Sequence, residues 1–165
     1  MENQDFEMAK VYSPKDMEDR IYDMWEKSGA FTGEVCADQL RDLGVKYVII
    51  GHSERRTLFD EDDIRINNKV RLALAAGLHP IICVGETSEQ RNMDVTFEVI
   101  RLQVKSSLYG LDEHMLRHVV FAYEPVWAIG TGITASPAQA EEVCSFIRAT
   151  VRSRFGARAA RSLPI

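Results

Sequence analysis

From residue 46 onward, short apolar runs rich in β-branched residues alternate with amphipathic helical stretches at a spacing of roughly 30 to 40 residues. That alternation constrains the fold more than any other feature. Lys46-Tyr-Val-Ile-Ile-Gly51, His79-Pro-Ile-Ile-Cys-Val84 and His118-Val-Val-Phe-Ala-Tyr123 are continuous apolar runs. Runs of this kind suit strands buried on both faces of a parallel sheet. Between and around them lie four helical stretches. Cys36 to Leu43 closes at Gly44, and Asp62 to Ala76 closes at Gly77. Ser88 to Leu108 reads as one long helix, with Val95, Val99, Leu102 and Val104 on its apolar surface. Ser136 and Pro137 open the last helix as N-cap and first residue, and it runs to Phe155 before Gly156. A fourth strand begins at Leu163-Pro-Ile165. Strands that alternate with helices imply right-handed crossovers and an α/β fold with a parallel sheet.

Length sets a ceiling on that fold. A closed barrel of eight strand–helix units takes about 31 residues per unit, so 165 residues supply roughly five units. A complete barrel is excluded. Composition excludes other classes: 45% hydrophobic residues are too many for a disordered chain. A net charge of −5 does not suit a nucleic-acid binder. Arg148, Arg152, Arg154, Arg158 and Arg161 follow the last acid, Glu142, and read as a solvated helix face. Cys36, Cys83 and Cys144 are too widely spaced for a disulfide framework or a metal site, and fit buried thiols in a reducing compartment. The apolar stretch from Leu72 to Leu78 is far too short to span a bilayer, so no membrane partner is expected. The polar opening Met1 to Lys10 is no signal peptide, and a cytoplasmic location is the expectation. Residues 1–28 break the pattern. Ser13-Pro14 opens a helix whose stripe of Met17, Ile21, Met24 and Trp25 packs on something, giving an N-terminal segment of foreign character before a domain over residues 29–165.

In parallel α/β folds ligands bind beyond the carboxyl ends of the strands. There the first run gives Gly51-His52-Ser53-Glu54-Arg55-Arg56, the second Gly85-Glu86, and the third Tyr123-Glu124-Pro125-Val126-Trp127. His52 and Glu124 are candidates by position. Glu124 is followed by Pro125-Val126-Trp127-Ala128-Ile129-Gly130-Thr131-Gly132, an apolar tip between a proline and a Gly-x-Gly, as in a lid that closes and excludes water. Gly130 offers a backbone N–H that an anion can approach closely.

These stretches, with Gly29-Ala-Phe-Thr-Gly-Glu34 and Pro80-Ile-Ile-Cys-Val-Gly-Glu86, resemble the triosephosphate isomerase family from Gly29 to Ile165. The resemblance implies a partial TIM (β/α)₈ barrel of about three parallel strands with flanking helices, and the pattern of residues 1–28 sets an extra N-terminal helix before it. It implies an isomerase of glycolysis and gluconeogenesis that interconverts dihydroxyacetone phosphate and glyceraldehyde 3-phosphate through an enediolate, with no metal and no cofactor. The family is a standard instance of environment-tuned acid and base groups. Carried over, Glu124 is the base, His52 the neutral electrophile, Glu54 a buried support beside them and Cys83 a supporting thiol. Gly130 binds the substrate phosphate in a closed lid of Pro125, Val126, Trp127, Ala128, Ile129, Thr131 and Gly132. The loop Gly29–Glu34 matches one that plugs into a neighbouring subunit, implying a homo-oligomer. Two parts of the family pattern do not occur in these 165 residues: the strand-borne Asn-x-Lys and the C-terminal phosphate-binding glycines. The alternative is therefore a non-catalytic fragment or association module. Met8 to Trp25 weakly resembles the opening segment of valyl-tRNA synthetases.

Overall fold

A computed structural model describes residues 35–165. The N-terminal helix, the domain boundary at residue 29 and the loop Gly29–Glu34 lie outside the described residues.

Three short strands, β1 (Tyr47–Ile50), β2 (His79–Val84) and β3 (Val120–Tyr123), form a parallel sheet in the order β1-β2-β3. Register pairs Ile49 with Ile81 and Ile81 with Val120, so these residues share one face. Helices α1 (Ala37–Asp42), α2 (Ser53–Leu58) and α3 (Asp63–Ala75) precede β2. Next come α4 (Ser88–Asn92), α5 (Thr96–Ser107) and α6 (Glu113–Leu116). A single 3₁₀ turn over Val126–Ala128 and the long α7 (Pro137–Ser162) complete the chain.

The helices cover one face of the sheet. Ile50, Ile82, Val84 and Phe121 turn toward them and meet Ile66 and Val70 of α3, Ile100 and Val104 of α5, and Ile147 and Val151 of α7. Each fully buried aliphatic or aromatic side chain there stabilises the fold by about 1.5–3 kcal/mol. The opposite face is open: Tyr47 is 56% and Ile49 60% exposed. The expectation of strands buried on both faces thus holds for one face only, because three strands do not close on themselves and no described element covers the other side.

Two helical boundaries differ from expectation. Ser88 to Leu108 is two helices, because Asp94 adopts a left-handed φ of 58° between them. Thr87 caps the first by accepting from the Gln90 N–H at 3.3 Å. The last helix does end at Gly156, at φ 85°, but a second helical segment follows directly and runs to Ser162. Its start is as read, with Ser136 Oγ accepting from the Gln139 N–H and Pro137 first in the helix. Arg148 donates to the carbonyls of Ala160 and Leu163, which holds the second segment back against the first. Beyond it, Pro164 accepts from the Phe121 N–H at 3.1 Å. The fourth strand is present as that one contact at the edge of β3.

Polar groups also lock the outer layer. Asn67 of α3 donates to the carbonyls of Ser107, the last residue of α5, and of Tyr109 just past it. Glu61, 4% exposed at its side chain, accepts from Arg55 Nε at 2.5 Å and from Lys69 Nζ. Burial pushes the Glu61 carboxyl up, but hydrogen bonds from Lys69 and Arg55 and their charges outweigh burial, and its pKa lies below the ordinary value of 4.5. A carboxylate with a depressed folded pKa stabilises the fold above its unfolded pKa and loses that contribution as pH falls through the folded one. Urea midpoints are therefore expected to drop as pH falls below about 4.5, and Glu61→Gln is expected to remove that part of the acid sensitivity. Identical pH profiles for the two proteins would show that Glu61 carries none of it.

Candidate active site

The site is built where β1 and β3 end. After Ile50, Gly51 turns the chain at φ 78°, a left-handed value that a side chain disfavours, and a Cβ there would sit 3.2 Å from the Cys83 carbonyl. Arg56 pins this turn, donating from Nε to the Gly51 carbonyl at 2.9 Å and from Nη1 to Asp63 at 2.7 Å. His52 then caps α2, and its Nδ1 accepts from the Glu54 N–H at 3.3 Å. A ring nitrogen that accepts holds a lone pair, so the imidazole proton belongs on Nε2. Nε2 lies 3.0 Å from Glu124 Oε1.

Glu124 follows β3, and its N–H donates to the Val84 carbonyl at 2.8 Å. Its side chain is 14% exposed, takes two hydrogen bonds and stands within 3.0 Å of His52. Ser53 donates both, from N–H to Oε2 at 2.9 Å and from Oγ to Oε1 at 2.7 Å. Close packing of backbones fixes this position. The Gly85 Cα points so directly at Glu124 that a Cβ would lie 1.7 Å from its carbonyl oxygen. An imidazole N–H and a low-exposure carboxylate at 3 Å make a proton donor and a proton acceptor that one small substrate can bridge.

Cys83, on β2, is 5% exposed. Burial and then the nearby Glu124 charge push its thiol up to about 11, against a smaller opposing effect of Arg56. Alkylation proceeds through the thiolate. At pH 8, Cys83 in the folded chain is expected to react with iodoacetamide more than about a hundredfold slower than free cysteine. Peptide mapping after timed labelling measures this, and labelling at the free rate would contradict the environment described.

The segment after Glu124 leaves the sheet through Pro125 and the 3₁₀ turn, whose Trp127 ring lies 4.5 Å beneath the Arg91 guanidinium. Arg91 donates to Glu86, which is fully buried, at 2.8 Å, and Tyr123 Oη donates to the same carboxylate at 3.1 Å. Burial, and then the Glu86 charge, helps push the Tyr123 phenol up to about 12, so it stays protonated as a donor. Gly130 and Gly132 have φ of 71° and 76°, and Ile129 is 50% exposed. A groove of about 780 Å³ on the outer helices, lined by Asn67, Arg71, Lys105 and Arg154, includes neither His52 nor Glu124.

A family model described as triosephosphate isomerase matches residues 22–165. The chain belongs to the triosephosphate isomerase family. It is 53% identical over 141 residues to the triosephosphate isomerases of Acetivibrio thermocellus and Clostridium novyi, covering 86% of this chain and 56% of each relative. That of Natranaerobius thermophilus is likewise 53% identical over 141 residues, 55% of its length. The chain thus spans about half the length of the curated relatives it matches. The sheet and its helices are a portion of the family's (β/α)₈ barrel.

Of the residues singled out in sequence, His52 and Glu124 come together, with Cys83 beside them. Glu54 is a correction: its side chain is 73% exposed, not buried, because it projects from the first turn of α2 where no described element covers it. Its Oε2 stands 3.9 Å from His52 Nδ1. Gly130 stays outside the cluster, exposed and with open space around it. The likeness of residues 8–25 to valyl-tRNA synthetases gains no support, and the triosephosphate isomerase family model already begins at residue 22, inside that stretch. Sequence reasoning misses Ser53, which makes both hydrogen bonds to the Glu124 carboxylate. Its place directly after a helix cap, where N–H groups point at anions, is the available signal.

Proposed function

We propose that this chain carries the proton-transfer machinery of a triose-phosphate isomerase. Glu124 is the base that moves a proton between C1 and C2 of dihydroxyacetone phosphate, and His52 is the electrophile. The observation that carries this reading is the 3.0 Å approach of His52 Nε2 to Glu124 Oε1 with Nδ1 already occupied as an acceptor. An Nε2–H held in that tautomer donates to a carbonyl oxygen as negative charge develops on it, and it returns a proton through the same nitrogen. The substrate enters by taking the His52 and Glu124 groups away from each other. Gly130 binds the phosphate when the segment from Pro125 to Gly132 closes over it, excluding water from the enediolate. Glu54 supports His52 from the first turn of α2. Residues 29–165 form the barrel portion and residues 1–28 a separate leading segment.

The 165 residues contain neither the strand-borne lysine nor the C-terminal phosphate-binding glycines of the family pattern. Missing contacts to a substrate anion remove several kcal/mol of transition-state stabilisation. The chain alone is therefore expected at buffer level in a coupled assay of dihydroxyacetone phosphate conversion. Mixed with a polypeptide that carries the remaining strands of a relative, itself inactive, it is expected to give turnover that depends on Glu124. Turnover indifferent to Glu124, or none from a mixture that sedimentation shows to be assembled, would sink the reading. The second reading, an association module, is favoured by the open sheet face at Tyr47 and Ile49. In that reading a second copy of the chain covers this face.

A further inference from the structure

We propose that Gln103, on the outer helix α5, positions the Glu124 carboxylate by clamping Gly85; that Glu124 is the base rests on the function proposed above. Gln103 is 9% exposed and sits between Ile100 and Val104, which face the core. A buried amide in such surroundings costs free energy unless its donor and acceptor are both satisfied, and an aliphatic side chain would pack there without that cost. Both of its groups are satisfied, and by one residue. Gln103 Oε1 accepts from the Gly85 N–H at 2.8 Å, and Gln103 Nε2 donates to the Gly85 carbonyl at 3.0 Å.

That pair of bonds is what a neighbouring strand would supply, and Gly85 stands one residue beyond the end of β2, where the ladder has stopped. On its other side, Gly85 is pressed against Glu124. The Glu124 N–H is bonded to the Val84 carbonyl, and the Glu124 carbonyl occupies the place of the missing Gly85 Cβ. The Gly85 peptide is therefore held between the Gln103 amide and the backbone of the base. No other described contact fixes it from the helix side. Releasing the clamp frees the peptide to move, and the first atoms it displaces are those of Glu124. A shift of about 1 Å at a reacting group is enough to lower a rate a hundredfold.

The test compares Gln103→Met, which keeps length and burial, with Gln103→Glu, which keeps the acceptor for the Gly85 N–H and loses the donor to its carbonyl. Three signals are read on the full chain: the urea midpoint, hydrogen exchange of the Gly85 amide relative to Ile82, and the ¹⁵N resonances of His52. In Gln103→Met the Gly85 amide is expected to exchange about fivefold to tenfold faster relative to Ile82. The His52 Nε2 resonance is expected to move toward that of a free imidazole, because Glu124 Oε1 no longer sits within its reach. Gln103→Glu is expected to fall between Met and Gln in both signals. A lowered urea midpoint with His52 and Gly85 signals unchanged in a folded variant would make Gln103 a packing residue and overturn the proposal. If Gln103→Met does not fold, the same two signals in Gln103→Glu decide. These readings need no catalysis, so they stand apart from the isomerase assay. His52 signals that move while the assembled chain shows no turnover uphold the clamp and remove the proposed activity.

Discussion

On the function proposed above, Glu124→Gln in the assembled complex is expected to lower isomerase turnover by about a thousandfold, the usual range for a positioned general base, while the urea midpoint of the chain changes little. The two halves of that expectation come from different contacts. A neutral amide has no basic oxygen with which to take a carbon-bound proton, so the chemical step is lost. Folding is spared because most of the contacts survive. The amide oxygen still accepts from the Ser53 N–H, and the amide nitrogen donates to Ser53 Oγ, which accepts as readily as it donates. One contact is lost. His52 Nε2–H faces an amide nitrogen, and the ring cannot switch its proton to Nδ1 without giving up the Glu54 N–H. Losing that contact costs no more than one hydrogen bond, about 1 kcal/mol. Glu124→Asp keeps the charge and withdraws it by one methylene, so its loss is smaller, about a hundredfold. Coupled-assay rates with matched urea titrations separate these outcomes. A Glu124→Gln enzyme of near normal rate would leave His52 without a partner in catalysis and assign the base elsewhere.

Gly85→Ala is expected to remove the cooperative unfolding transition, or to lower stability by about 4 kcal/mol or more, among the largest effects a single methyl can have. The added Cβ would be 1.7 Å from the Glu124 carbonyl oxygen and 2.8 Å from its carbon. Those atoms are backbone, so no side-chain rotation relieves the overlap. The chain can relieve it only by parting Gly85 from Glu124, which breaks the Glu124 N–H bond to Val84 and pulls on both bonds to Gln103. Circular dichroism against urea reads the result. A Gly85→Ala chain with wild-type unfolding would mean that the two strand ends do not meet as closely as described. Gly130→Ala is a fitting control, since that Gly has open space around it and strains only through its φ of 71°.

Much of the architecture is legible in sequence because the code for it is local. His79–Val84 reads as a strand from its apolar run and is one. Ser136-Pro137 announces a helix start that the Ser136 Oγ bond confirms. The features that escape are set by contacts distant in sequence or by single backbone angles. A helical pattern from Ser88 to Leu108 gives no warning that Asp94 will turn to φ 58°. Gly156 reads as a terminator, yet Arg148, eight residues earlier in the same helix, gathers the carbonyls of the next helical segment and lets it continue. At the site, His52 and Glu124 are visible because both lie within two residues of a strand end and differ in type from the apolar runs before them. Ser53 is hidden because a serine after a helix cap is commonplace, and its bonds to Glu124 cross 71 positions. Gln103 is hidden because a polar residue on an amphipathic helix is ordinarily taken to face water. The open face at Tyr47 and Ile49 cannot be seen in composition, since an exposed isoleucine in a strand is spelled the same as a buried one.

Among the described residues, β1 pairs with β2 and β2 with β3, and the last contact, Phe121 with Pro164, again joins a strand to the next stretch of extended chain. For a chain synthesised from its N-terminus at about 5–20 residues per second, this wiring has a temporal meaning. β2 and then β3 each find the preceding strand already made on leaving the ribosome, after a wait of a few seconds for the helices between them. Among the described strands, pairing follows chain order with no skipped neighbour. The order of synthesis and the order of assembly are the same.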